Sequence, residues 1–137
     1  MRVHITVDNE LVAELDRRPG SRRRSAFIAE LIRRGLDDEH RWTCAISIEE
    51  IWRGLLLGED AVADRLARGL RCAPLGPSEG VRAGGWRCQF AARGVTLHPA
   101  DCLIAAATAG TDARLATGNP ADFPMDDITV EHWPVEH

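Results

Sequence analysis

Arg2-Val3-His4-Ile5-Thr6-Val7 alternates polar and apolar residues without a break. On an extended chain successive side chains point to opposite faces, so Val3, Ile5 and Val7 share one side and Arg2, His4 and Thr6 the other. That is the pattern of a strand with one wet face. Its reading decides the fold, because a strand at the centre of a parallel sheet is ordinarily apolar on both faces. Asp8 stands where a helix cap belongs, Leu11, Val12 and Leu15 form an apolar stripe, and Pro19-Gly20 stops the helix. After the basic turn Arg22-Arg23-Arg24, Ser25 caps a second helix in which Phe27, Ile28, Leu31, Ile32 and Leu36 recur at helical spacing. The expected order over residues 1 to 42 is strand, helix, helix.

About forty residues with one strand cannot satisfy that strand's edges or cover both stripes, so the unit is expected to form a homodimer by pairing two copies of the N-terminal strand. A two-stranded ribbon fits the major groove of DNA, and Arg2, His4 and Thr6 are side chains that reach guanine edges, phosphates or thymine methyls. Arg24 and Ser25, at the amino end of the second helix, supply positive charge and N–H groups for a phosphate. Residues 1 to 36 resemble the ribbon-helix-helix heads of VapB-type antitoxins throughout. The resemblance implies operator DNA as a partner and a cognate toxin as another. Asp37-Asp38-Glu39-His40-Arg41-Trp42 looks like the start of the toxin-wrapping tail of such antitoxins, after which the pattern changes.

From residue 43 the signals are those of an α/β unit. Thr43-Cys44-Ala45-Ile46-Ser47 reads as a short buried strand entering a helix in which Ile48, Ile51 and Leu55 face inward. A helix is expected from Glu59 to Cys72, ended by Pro74 to Pro77, and another from Ser78 to Arg93, ended by Gly94. Pro99 opens an apolar helix to Ala109 and places Asp101 in its first turn, where the helix dipole favours a carboxylate. His98, just before it, reads as its cap. Ala113 to Thr117 and Ile128 to Val130 read as strands.

Three segments of residues 43 to 137 resemble, in order, motifs of VapC-type PIN-domain ribonucleases. They are Ser47-Ile48-Glu49-Glu50-Ile51-Trp52-Arg53-Gly54-Leu55, Asp101-Cys102-Leu103-Ile104-Ala105-Ala106-Ala107 and Leu115-Ala116-Thr117-Gly118-Asn119-Pro120-Ala121-Asp122-Phe123. The resemblance implies an α/β/α sheet domain in which Glu50, Asp101 and Asp122 hold magnesium or manganese and Asn119 and Thr117 support them, with RNA as substrate. Oxygen ligands suit hard divalent cations that polarise a phosphodiester. Spacing to Gly54 favours Glu50 over Glu49. The opening strand of such a domain, with its first catalytic aspartate, is missing from the resemblance, which implies an incomplete sheet and impaired catalysis unless Asp8 replaces the lost acid. The polar faces of Arg2, His4 and Thr6 speak against that replacement.

The whole reads as an α/β chain in two parts, a ribbon-helix-helix head at 1–42 and a truncated PIN-like domain at 43–137. Its implied role is that of a DNA-binding, antitoxin-like regulator of a toxin–antitoxin system. A magnesium-dependent ribonuclease toxin and an inactive fusion product are the alternatives. Composition is compatible with each. The chain has 137 residues, 45% of them apolar, and a net charge of −4. All positive side chains apart from histidine are arginine, nine of them against eight acids over residues 1 to 41 and eight against thirteen thereafter. No run nears the roughly 18 apolar residues of a membrane span, and the start lacks the apolar core of a signal peptide, so the expected location is cytoplasmic. Cys44, Cys72, Cys88 and Cys102 are scattered without metal-binding spacing and read as reduced thiols.

Overall fold

A computed structural model describes residues 3–5, 41–53, 58, 60, 61, 64, 68 and 70–132. Among the described residues five strands form one sheet: β1 (Val3–Ile5), β2 (Arg41–Thr43), β3 (Arg71–Cys72), β4 (Arg114–Thr117) and β5 (Thr129–His132). Their spatial order is β3-β2-β1-β4-β5 and every neighbouring pair is parallel. Among the described residues they are accompanied by the helices α1 (Ala45–Arg53), α2 (Pro77–Ala91) and α3 (Pro99–Gly110).

β1 occupies the middle of the sheet. Val3 and His4 stand opposite Arg41 and Trp42 of β2, and Val3, His4 and Ile5 opposite Arg114, Leu115 and Ala116 of β4. Both edges of the strand are thus taken within the chain, which corrects the expectation of a solvent-facing ribbon paired with a second copy. The backbone N–H and C=O groups that would have needed a partner subunit are met by β2 and β4. The central position expected to be missing is filled, and the sheet runs across the boundary expected between residues 42 and 43. The two helices expected between Asp8 and Leu36 lie outside the described residues.

The second expected strand is shifted. It covers Arg41–Thr43, and Cys44 already accepts the first helical bond, from Ile48 N–H at 3.0 Å, so Ala45, Ile46 and Ser47 are helical. The helix expected from Glu59 to Cys72 is helical at residues 60, 61, 64 and 68 but ends sooner. Arg71 and Cys72 instead pair with Trp42 and Thr43. Arg71 also lies over the Trp42 ring, 5.8 Å from its centroid.

The core lies between the sheet and α2 and α3. α2 buries Ala83, Trp86 and Phe90, three and four residues apart on one face. It ends at Ala91, two residues short of the expected Arg93, and the turn that follows closes at Gly94, whose φ of +78° is a left-handed conformation open to glycine. α3 is apolar on nearly every side and packs against α2, α1 and β4. Leu115 of β4 joins the same core, while its neighbour Ala116, equally buried, points to the other face of the sheet. Phe123 and Met125 close the core from the β4–β5 connection. No helix among the described residues is long and apolar enough to cross a membrane.

Candidate active site

An all-parallel sheet collects the carboxyl ends of its strands at one end, and a crevice opens where neighbouring connections leave in opposite directions. From β1 the chain moves outward through β2 to β3, then returns to β4 on the other side of β1 and continues to β5. The reversal falls between β1 and β4. The carboxyl end of β4 leads straight into Thr117, Asn119 and Asp122.

These three residues hold one another. The Asn119 backbone N–H donates to Thr117 Oγ1 at 3.1 Å, and the Asn119 side-chain amide donates to Asp122 Oδ2 at 3.0 Å. Thr117 is buried, whereas Asn119 and Asp122 are half-buried at the rim. A single helical turn, Pro120–Asp122, makes the Asn119–Asp122 approach possible: Pro120 fixes its start and the Asp122 N–H donates to Asn119 O at 3.2 Å.

Asp101 comes to the same end of the sheet by a different route. α3 and β4 are joined by residues 111–113 and pack together. So short a link makes α3 run back against the strand, and its amino end points toward the strands' carboxyl ends. There His98 Nδ1 accepts from the Ala100 N–H at 3.3 Å and caps the helix, while Asp101 sits half-buried in the first turn. Behind it, burial pushes the Cys102 thiol above its ordinary pKa; the Asp101 charge adds to the shift and Arg87 of α2 opposes it.

Glu50 is carried by α1, which leaves the carboxyl end of β2. The sequence left a choice between two adjacent glutamates, and their surroundings differ sharply. Glu50 is 5% exposed and shares the inward face with Ser47 three residues earlier. Glu49 faces solvent and pairs with Arg53 at 3.3 Å. Next to this face Cys44 Sγ lies 3.7 Å from Ser47 Oγ, and burial raises its thiol pKa against that hydrogen bond.

The arrangement brings Thr117, Asn119 and Asp122 into direct contact, but it does not gather Glu50, Asp101 and Asp122 into one ligand set. Among the described residues no three His, Cys, Asp or Glu side chains stand close enough to hold a metal ion. Asp8, Arg2, Thr6, Arg24 and Ser25 lie outside the described residues. His4 lies in β1, opposite Trp42 and Leu115.

Sequence reasoning passed over one contact beside the site. The Trp86 indole N–H donates to Asp127 Oδ2 at 3.0 Å, joining α2 to the connection that carries Asn119 and Asp122. Forty-one positions separate the two residues. A buried tryptophan, which wants an acceptor for its N–H, was the signal available.

No family model and no curated protein matches the sequence. Solved structures do match the fold. DNA-bound VapBC from Salmonella typhimurium aligns with a TM-score of 0.68 at 19% identity, over 97% of this chain and 99% of that one. VapBC-1 from nontypeable Haemophilus influenzae aligns with 0.65 at 18% identity, over 96% and 98%. VapBC2 from Rickettsia felis, bound to a DNA fragment from its promoter, gives 0.63 at 16% identity, over 97% and 99%. At such identities the likeness establishes a shared fold.

Proposed function

We propose that the chain is a PIN-type protein of a toxin–antitoxin system whose site for a nucleic-acid phosphodiester lies at the reversal between β1 and β4. One observation carries this reading: β1 stands at the centre of the parallel sheet beside β4, the strand that delivers Thr117, Asn119 and Asp122. Near-complete coverage of chains from VapBC complexes supports it. The three matched acids fall short of a metal-holding group, so the proposal assigns the completing carboxylate to Asp8, three residues past the end of β1. Magnesium or manganese would then be held by Asp8, Glu50, Asp101 and Asp122, and RNA is the substrate class.

The test is titration of the purified chain with magnesium and manganese by calorimetry, beside Asp101→Asn and Asp8→Asn. Binding in the parent that is lost in both variants supports the assignment, and magnesium-dependent RNA cleavage lost in Asp101→Asn extends it to catalysis. A parent that binds neither ion retires the nuclease.

A second reading, the antitoxin-like regulator, draws on the alternation of residues 2 to 7, the basic run Arg22-Arg23-Arg24 and the DNA-bound state of two of the structural neighbours. It assigns DNA contacts to Arg2, His4, Thr6, Arg24 and Ser25, and it requires Val3–Ile5 to leave the sheet. The two readings compete for one strand. Binding to the duplex upstream of the chain's own gene, falling steeply with salt and lost on replacing Arg2 and Thr6 together, would favour the regulator.

A further inference from the structure

The connection between β4 and β5 carries Asn119 and Asp122 but contains only one helical turn of regular structure. Its position therefore depends on side-chain anchors. At its start the Asn119 N–H is held by Thr117 Oγ1, and in its middle Phe123 and Met125 are buried in the core. Near its far end Asp127 accepts the Trp86 indole N–H at 3.0 Å.

The two partners of that last bond are unequal. Asp127 belongs to an exposed stretch beside Asp126, and a carboxylate there is satisfied by water in any of several rotamers. Trp86 is 3% exposed, locked in the face of α2 that packs on α3, with Arg82 5.9 Å from its ring centroid. A buried indole N–H without an acceptor is costly, so the fixed donor selects one position for the exposed acceptor. The bond thus refers the connection to α2, which packs along α3, the helix that carries Asp101.

We infer that Trp86 and Asp127 are a positioning pair that sets Asn119 and Asp122 against Asp101 at the mouth of the crevice. The inference rests on the reading of Asn119 and Asp122 as site groups. Neither Trp86 nor Asp127 touches substrate in this role. They act by fixing the segment that does.

The experiment follows amide exchange by NMR in the full chain for the parent, Trp86→Phe, Asp127→Ala and Asp127→Asn, with manganese titration alongside. Trp86→Phe removes the donor and keeps a ring in the core; Asp127→Asn keeps an acceptor oxygen. Exchange at the Asp122 and Phe123 amides, which bond to Asn119 O and Pro120 O, is expected to rise about tenfold in Trp86→Phe and Asp127→Ala. It should stay near the parent rate in Asp127→Asn, with the α3 amides of Ile104 to Thr108 unchanged throughout. Manganese affinity should fall in the same two variants and hold in Asp127→Asn. Unchanged exchange at Asp122 and Phe123 overturns the pair, and so does an equal rise in α3, which would mean general loosening. A parent that binds no manganese removes the reading of Asn119 and Asp122 as site groups, and the exchange pattern still decides whether Trp86 and Asp127 place the segment.

Discussion

α2 and α3 lie against each other yet are built on opposite plans. α3 buries Cys102 and the unbroken run Ile104, Ala105, Ala106, Ala107 and Thr108, and its polar members turn inward to the helix itself, Thr108 Oγ1 donating to Ile104 O at 2.9 Å. α2 buries Ala83, Trp86 and Phe90 and leaves Gly80, Val81, Gly84, Gly85 and Cys88 exposed. The difference follows from layer position. α3 touches α2, α1 and β4, so neighbours approach from several sides and alanines let them come close. α2 is the outer member of the pair. Helical periodicity reports how many sides of a helix are covered, and only through that where the helix lies.

The largest test of this contrast is Ile104→Ala. Ile104 is 1% exposed in the doubly covered helix, and removing its side chain should cost about 2–5 kcal/mol of stability through lost burial and a residual cavity. Urea unfolding measures it, and a loss under about 1 kcal/mol would mean that α3 is covered less tightly than its burial indicates.

Thiol labelling separates the helices by chemistry. Cys88 on α2 is exposed and Cys102 on α3 is buried with a raised pKa, so under native conditions Cys88 should react on the order of a hundredfold faster or more. Mass spectrometry of the labelled peptides gives the ratio, and comparable rates would contradict the layer assignment. The same burial has a sign in pH. Cys44 and Cys102 both titrate above the ordinary thiol range when folded. Below that range both states keep the protons and stability is unaffected. As pH rises through it, the unfolded chain ionises first and stability falls.

The smallest expected effect belongs to the outer face. A Cβ at Gly84 would meet nothing within 4 Å, and Gly84→Ala in an exposed helix interior should stabilise the chain by about 0.5–1 kcal/mol. A higher urea midpoint would confirm that this face is open. Destabilisation would show that another surface rests on it.

The α3 contribution could be read directly from residues: Pro99 at the start, an apolar run behind it, Asp101 in the first turn. β4 and the stop at Gly94 were equally plain, because proline, glycine and a buried apolar strand announce themselves locally. β1 was misread for the same reason. The alternation of Arg2, His4 and Thr6 is a local signal of a wet face, whereas its place between β2 and β4 is set by partners far along the chain. The β2 assignment slipped because Cys44 to Ser47 is apolar and short, a run in which helix and strand look alike. At the site, the choice of Glu50 over Glu49 was a matter of spacing; Glu50 is buried and Glu49 exposed, a difference that spacing alone does not report. The Trp86–Asp127 bond left a trace only at its donor, since a tryptophan on a buried face wants an acceptor but nothing about Asp127 in sequence distinguishes it from Asp126.

The place of β1 also imposes an order in time. During synthesis the N-terminal strand emerges first, and β2 can join one of its edges early. Its other neighbour, β4, is made more than a hundred residues later. Until it arrives, one edge of what becomes the central strand is open to other chains and to itself. Loop closure across most of the sequence then precedes the final pairing, which makes assembly slow and dependent on the newest part of the chain. A nascent protein arrested before Arg114 would hold the first half of its sheet and none of the β4 wall of its crevice.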